Sequence, residues 1–151
     1  MLHWNCKPFY ELNLDELYAM MQLRQEVFVV EQDCAYLDAD GLDQKAWHLM
    51  GWDDKKQLIA YSRLLPKGLS YSEYAAIGRV VTSNKVRGNG VGKQLMGETI
   101  KHIKQIFDTS TIKISAQCYL IRFYESFGFF SIGEEYLEDG IPHIAMIRKE
   151  K

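Results

Sequence analysis

The apolar positions change period several times along the chain, and each change predicts an element. Leu2–Phe9 reads as a strand closed off by Pro8. Leu14, Leu17, Met20, Met21, Leu23 and Arg24 follow with helical spacing toward Val27 and Phe28, which predicts an amphipathic helix capped by Asn13 or Asp15. Glu31–Asp43 is acidic and irregular. Ala46–Trp52 and Leu58–Leu65 predict two strands, and the Asp53–Lys56 turn between them suits an antiparallel hairpin. Tyr74–Thr82, rich in Ile, Val and Tyr, predicts a fourth strand. A long helix is expected over Gly90–Phe107, a β-branched strand over Thr111–Ala116, and a short helix over Leu120–Phe127 that Gly128 ends. Phe129–Tyr136 and His143–Arg148 complete the set, joined by the turn Glu138-Asp139-Gly140.

The order β-α-β-β-β-α-β-α-β-β belongs to a mixed α/β (α+β) chain. The strand–turn–helix–strand unit over Tyr74–Ala116 needs a parallel crossover, and its antiparallel neighbours make the sheet mixed.

Length and charge narrow the function classes. A chain of 151 residues, 47% apolar and 25% charged, fits one domain that needs no disulfide or metal staple. A formal net charge of -2 argues against a nucleic-acid partner, which calls for a basic face. No apolar run reaches the roughly 20 residues of a membrane span, so no membrane association is expected. The first residues lack the apolar stretch of a signal peptide. Cys6, Cys34 and Cys118 are odd in number and far apart, which favours reduced thiols in a cytoplasmic setting and no metal site.

Lys and Arg gather in Lys85–Lys104, around the turn Arg87-Gly88-Asn89-Gly90-Val91-Gly92-Lys93. Glycines at 88, 90 and 92 let backbone N–H groups approach a ligand at a helix N-terminus, where the dipole favours negative charge. A diphosphate suits that concavity, and a structural turn that merely starts a helix is the plain alternative. A P-loop is excluded because Gln94 follows Gly92-Lys93 where a Ser or Thr is needed for magnesium. A dinucleotide fingerprint fails because Lys93 stands where the third glycine belongs.

Arg87-x-x-Gly90-x-Gly92, after a strand and opening a helix, resembles the acetyl-CoA motif of the GNAT superfamily of N-acetyltransferases. Phe123-Tyr124-Glu125-Ser126-Phe127-Gly128-Phe129 matches its second motif, and the element order matches over nearly the whole chain. Arg24–Gln32, His48, Gly78-Arg79-Val80 and Glu138–His143 are similar to the ElaA-like branch. The resemblance implies a single N-acetyltransferase domain over residues 1–151. It also implies a mixed sheet of six to seven strands flanked by about four helices, with splayed parallel strands forming the cofactor cleft.

It further implies direct transfer of acetyl from acetyl-CoA to a primary amine of a small molecule or peptide. A non-catalytic acetyl-CoA sensor on the same fold stays open, because fold does not guarantee chemistry. Val80, Val81 and Thr82 are expected to pair with the pantetheine arm, beside the Arg87–Lys93 turn. Tyr124 takes the place of the general acid, since a phenol near pKa 10 can protonate a departing thiolate. Gln117 stands where the family commonly has an Asn seven residues before that Tyr. The ElaA-like segments offer Glu31, His48 and His143 as bases, and Arg24 or Arg79 as ligands for an acceptor anion. The more ordinary reading of those arginines is a salt bridge with Glu26 or Glu31. The run Asp33, Asp38, Asp40, Asp43 is expected to be a solvated loop that could attract a cationic amine, and its Gly41 comes too early for an EF-hand. A homodimer is compatible with the resemblance.

Overall fold

The computed structural model describes residues 1–149, so Glu150 and Lys151 of the expected domain lie outside the described residues. Its strands are β1 (His3–Pro8), β2 (Trp47–Trp52), β3 (Leu58–Leu65), β4 (Ala75–Thr82), β5 (Ile112–Gln117), β6 (Phe129–Glu138) and β7 (Ile141–Arg148). Three α-helices accompany them: α1 (Leu14–Arg24), α2 (Val91–Phe107) and α3 (Ile121–Glu125). The sheet order is β1-β2-β3-β4-β5-β7-β6, with every neighbouring pair antiparallel except β4 and β5. The mixed sheet expected from the element order is thus present with seven strands.

Side-chain alternation on the central strands feeds two cores. Leu49, Ala60 and Leu64 face α2 and pack with Leu95, Met96 and Ile103. Met50 and Tyr61 point to the other face and pack with Met20, Leu23 and Val27 from α1 and its extension. Under α2, the Thr99 hydroxyl donates to the Leu95 carbonyl at 2.7 Å, so Ser62 donates to Thr99, also at 2.7 Å. That pairing removes the cost of burying two hydroxyls in an apolar layer.

Asn13 is the cap of α1, in a full capping box with Glu16. The helix does not stop where its apolar spacing weakens. It continues as a π-helical run, Gln25–Glu31, in which Gln32 N–H bonds the Val27 carbonyl and Cys34 N–H bonds that of Val29. Such wide turns recur at functional sites, and this one carries Phe28, Glu31 and Gln32 toward the sheet opening.

That opening comes from β4. It pairs with β5 only at Ala75↔Ile112 and Ala76↔Lys113, and the two strands then diverge. Its register with β3 shifts between Tyr61↔Val81 and Arg63↔Gly78, which leaves one extra residue in β4. Arg79, with φ +53°, adopts the left-handed backbone at this bulge. The final hairpin turns through Asp139 (φ +52°) and Gly140 (φ +77°), the two positive angles that a tight Asp-Gly hairpin turn requires.

Candidate active site

Two clefts meet where β4 and β5 diverge. One, of about 450 Å³, is lined by Phe28, Glu31, Val80, Thr82, Arg87 and Gly92 among others. The second, of about 240 Å³, is lined by Tyr36, Tyr71, Arg79, Glu138, Asp139 and His143 among others. Phe28, Gln32, Val80, Gln117, Leu120 and Tyr124 line both, so the clefts form one passage through the splay.

The larger cleft ends at the glycine-rich turn. Gly90 caps α2 with φ +76°, and no side chain bonds the free N–H groups of the first turn. A helix N-terminus left open in this way is a ready anion site. Arg87 and Gly92 line the cleft itself, while Gly88, Asn89, Gly90 and Lys93 form the exposed turn beside it. Val91 points into the core instead. Asn89 steadies the turn by donating to the Val86 carbonyl at 3.2 Å. Arg87 forks onto Glu31, with its Nη2 2.9 Å from Oε2, and also donates to the Thr82 carbonyl. The hydrogen bond from Arg87 holds the Glu31 carboxyl below its ordinary value.

Tyr124 sits at the junction, 6% exposed, with its ring edge-on to Phe123 and Phe129. Burial pushes its phenol up, so it stays protonated through the neutral range. Its hydroxyl has no hydrogen-bond partner among the described residues. Gln117 accepts from the Gln32 side chain at 3.3 Å, a contact that spans the passage from the π-helical run to β5.

On the other side, His143 is 6% exposed and its Nδ1 lies 2.7 Å from the Ile141 carbonyl. A carbonyl only accepts, so Nδ1 carries the proton and Nε2 of the neutral ring keeps its lone pair. Glu138 lies 3.4 Å from that Nε2 and also accepts from Ser115 at 3.3 Å.

The expected solvated acidic loop is corrected by the structure: Asp38 and Asp43 are buried. Arg24, fully buried, donates to Asp38 at 2.7 Å and Asp43 at 2.8 Å. Arg63 grips Asp40 through both terminal nitrogens at 2.8 Å and reaches Asp43 at 2.9 Å. Arg79 Nε lies 2.8 Å from Asp38, and Nη2 lies 3.4 Å from Asp40. Three guanidiniums therefore face three carboxylates, which offsets the desolvation of their charges, while the buried Nε of Arg63 and of Arg79 is left without a hydrogen bond. Arg24 cannot bind an acceptor, because none of its surface is free, and its partners are Asp38 and Asp43 instead of Glu26 or Glu31. Arg79 lines the smaller cleft but is already committed to the aspartates.

His48 needs a second correction. Offered as a base, it is fully buried and lines neither cleft. Its Nε2 lies 2.9 Å from the Asp43 carbonyl and must donate, so Nδ1 accepts from Tyr61 at 2.7 Å. This placement removes it from direct proton exchange with an acceptor. Glu31 lines only the larger cleft, on Arg87, away from His143.

This cluster makes a prediction about stability. Burial holds the His48 ring below its ordinary pKa, whereas the unfolded chain takes up that proton below about pH 6.5. Acidification through that value therefore favours unfolding. Burial pushes Asp40 and Asp43 up, but the arginine contacts outweigh it, leaving Asp43 lowered and Asp40 at about 2. Their contribution is complete above about pH 4, the unfolded value, and is lost as pH falls toward the folded one. Thermal melts from pH 8 to 3 should show a decline in two stages. In His48→Gln the first stage should vanish, and its persistence would assign that stage to another group.

Comparison with known proteins agrees with this geometry. A family model described as an acetyltransferase (GNAT) domain matches residues 14–150. The chain belongs to this family. Among its GNAT relatives, the protein ElaA of Escherichia coli is 43% identical over 151 residues, covering 99% of this chain and 97% of that one. A UPF0039 protein of Synechocystis is 42% identical over 146 residues, covering 97% and 94%. A crystal structure of an acyl-CoA N-acyltransferase from Pseudomonas aeruginosa superposes with a TM-score of 0.91 at 46% identity, covering 98% and 99%. Family membership carries acyl transfer from an acyl-CoA donor in general. No helix of the described residues is long and apolar enough to cross a membrane.

Sequence reasoning missed Phe28, Gln32 and Leu120 at the junction and Arg63 and Glu138 on the smaller cleft. Glu138 had a signal, since it opens the Asp139-Gly140 turn that returns the chain to His143. Arg63 had none, lying inside an ordinary strand.

Proposed function

We propose that this GNAT chain is an N-acetyltransferase that moves the acetyl group of acetyl-CoA to a primary amine. The observation that carries the reading is Tyr124, a buried ring whose hydroxyl has no hydrogen-bond partner among the described residues, at the junction of the two clefts. The larger cleft suits the donor, since it ends at an uncapped helix N-terminus beside Arg87. The donor supplies an activated thioester. Arg87, Lys93 and the N–H groups of the Gly88–Gly92 turn hold its diphosphate, and Val80–Thr82 and Gln117 bind along its arm.

The smaller cleft receives the amine. His143 Nε2 takes a proton from the arriving ammonium, and Glu138 at 3.4 Å stabilises the imidazolium that forms. The free amine takes the acetyl group, and Tyr124 donates its proton to the departing sulfur. The proton that the new amide nitrogen sheds restores the phenol, while the proton on His143 passes to solvent. The balance is one ammonium and one thioester consumed, with one amide, one thiol and one proton formed. Thiol release over a panel of amines, with mass detection of acetylated product, tests the reading. Binding of CoA with no acetylated amine would replace it with the sensor function.

Glu31 competes with the diphosphate for Arg87. Arg87→Ala should weaken CoA binding about tenfold or more, the loss of a charge-assisted contact, whereas Glu31→Gln should tighten it a few-fold. Calorimetric titration with CoA checks both, and a weaker-binding Glu31→Gln would make that carboxylate belong to the site.

A further inference from the structure

The charges around the smaller cleft limit which amine can occupy it. Arg24, Arg63 and Arg79 are the guanidiniums at this place, and Asp38, Asp40 and Asp43 neutralise them one for one. Lys113 does not line the cleft, and its ammonium rests over the Tyr71 ring at 4.6 Å. Glu138 and Asp139 do line it, and neither has a Lys or Arg partner among the described residues. Their excess charge sits beside His143, whose buried ring has its Nε2 3.4 Å from Glu138 and lines the same space.

We propose that the acceptor is a small alkyl diamine, carrying a second ammonium beyond the one that reacts. This rests on the N-acetyltransferase reading above and names its substrate class. A cleft of about 240 Å³ is below the usual range for drug-sized ligands and suits a short alkyl chain. An amine bearing a carboxylate finds the charge of every nearby guanidinium already neutralised, with the buried Nε of Arg63 and of Arg79 free of a hydrogen bond, and meets Glu138 and Asp139 at the rim. A dication instead answers two carboxylates that no Lys or Arg among the described residues neutralises.

Three acceptors of similar length separate the terms: 1,4-diaminobutane, pentylamine and 4-aminobutanoate, with net charges near +2, +1 and 0. With acetyl-CoA as donor, kcat/KM should fall about fivefold from the first to the second. It should fall roughly 10²-fold from the first to the third, where like charges meet. Raising ionic strength should shrink these ratios, because the rim is open to solvent. Asp139→Asn suits the left-handed backbone at that position, so the turn is kept, and it should narrow the gap between diamine and monoamine.

Equal or faster acetylation of 4-aminobutanoate overturns the diamine assignment and leaves N-acetyl transfer standing. So does acetylation confined to amines outside this series. A ratio unchanged in Asp139→Asn and at high salt also overturns it, since charge would then not be the selector. No acetylation of any amine, with CoA still raising the melting temperature, removes the enzyme reading and the diamine with it.

Discussion

Replacing Tyr124 with Phe lowers kcat by about 10²-fold or more while the dissociation constant for CoA changes less than threefold. The size follows from the loss of a general acid, whose contribution typically runs from about 10² to 10⁴. The phenyl ring keeps the edge-on contacts with Phe123 and Phe129, so the wall of both clefts survives. Only the hydroxyl goes, and it bonds no other described residue, so nothing is left unsatisfied. Stability should therefore change little, which separates chemistry from folding in one variant. The sharper check is the leaving group. An acyl donor with a more acidic thiol needs less protonation, so Tyr124→Phe should lose less activity with it. A kcat within threefold of the parent would remove Tyr124 from proton transfer.

Replacing Arg24 with Met costs about 3–5 kcal/mol of folding stability, the range for breaking a buried pair from one side. The side chain is fully buried and holds Asp38 and Asp43, and removing it leaves three buried-cluster carboxylates to two guanidiniums, with Asp38 on Arg79 and Asp43 on Arg63. Arg24→Lys should recover only some of the loss, because one ammonium cannot fork between two carboxylates and the Asp38 carbonyl. Denaturant unfolding measures both. A loss below about 1 kcal/mol in Arg24→Met would show that solvent or Arg63 takes over the aspartates.

Local chemistry in the sequence revealed the turns. Gly88, Gly90 and the Asp139-Gly140 pair are decided by backbone angles within a few residues, and the structure has a positive φ at each, whereas Gly92 is helical. Tyr124 was legible because its helix, glycine and strand follow one another directly. The acidic run was misread for the opposite reason. Asp38, Asp40 and Asp43 are matched by arginines at 24, 63 and 79, and no local pattern distinguishes a solvated aspartate from one that meets a distant guanidinium. The same limit hid the fate of His48, whose partners lie on β3 and just before β2. The bulge at Arg79 was also invisible, since an arginine gives no hint that it will take a left-handed backbone.

That bulge does more than open a gap between β4 and β5. Ala75 and Ile77, before it, belong to the core under α2, as does Val80 beyond it, whereas Val81 packs beneath α1. Odd-numbered positions thus change sides in mid-strand, so β4 is written in two phases. A one-residue deletion in Gly78–Val80 would remove the bulge and merge the two phases into one, with Ile77 and Val81 keeping their sides and their β3 partners, while the left-handed kink at Arg79 would be lost. The extra residue thus serves the kink, and the packing of neither flank depends on it.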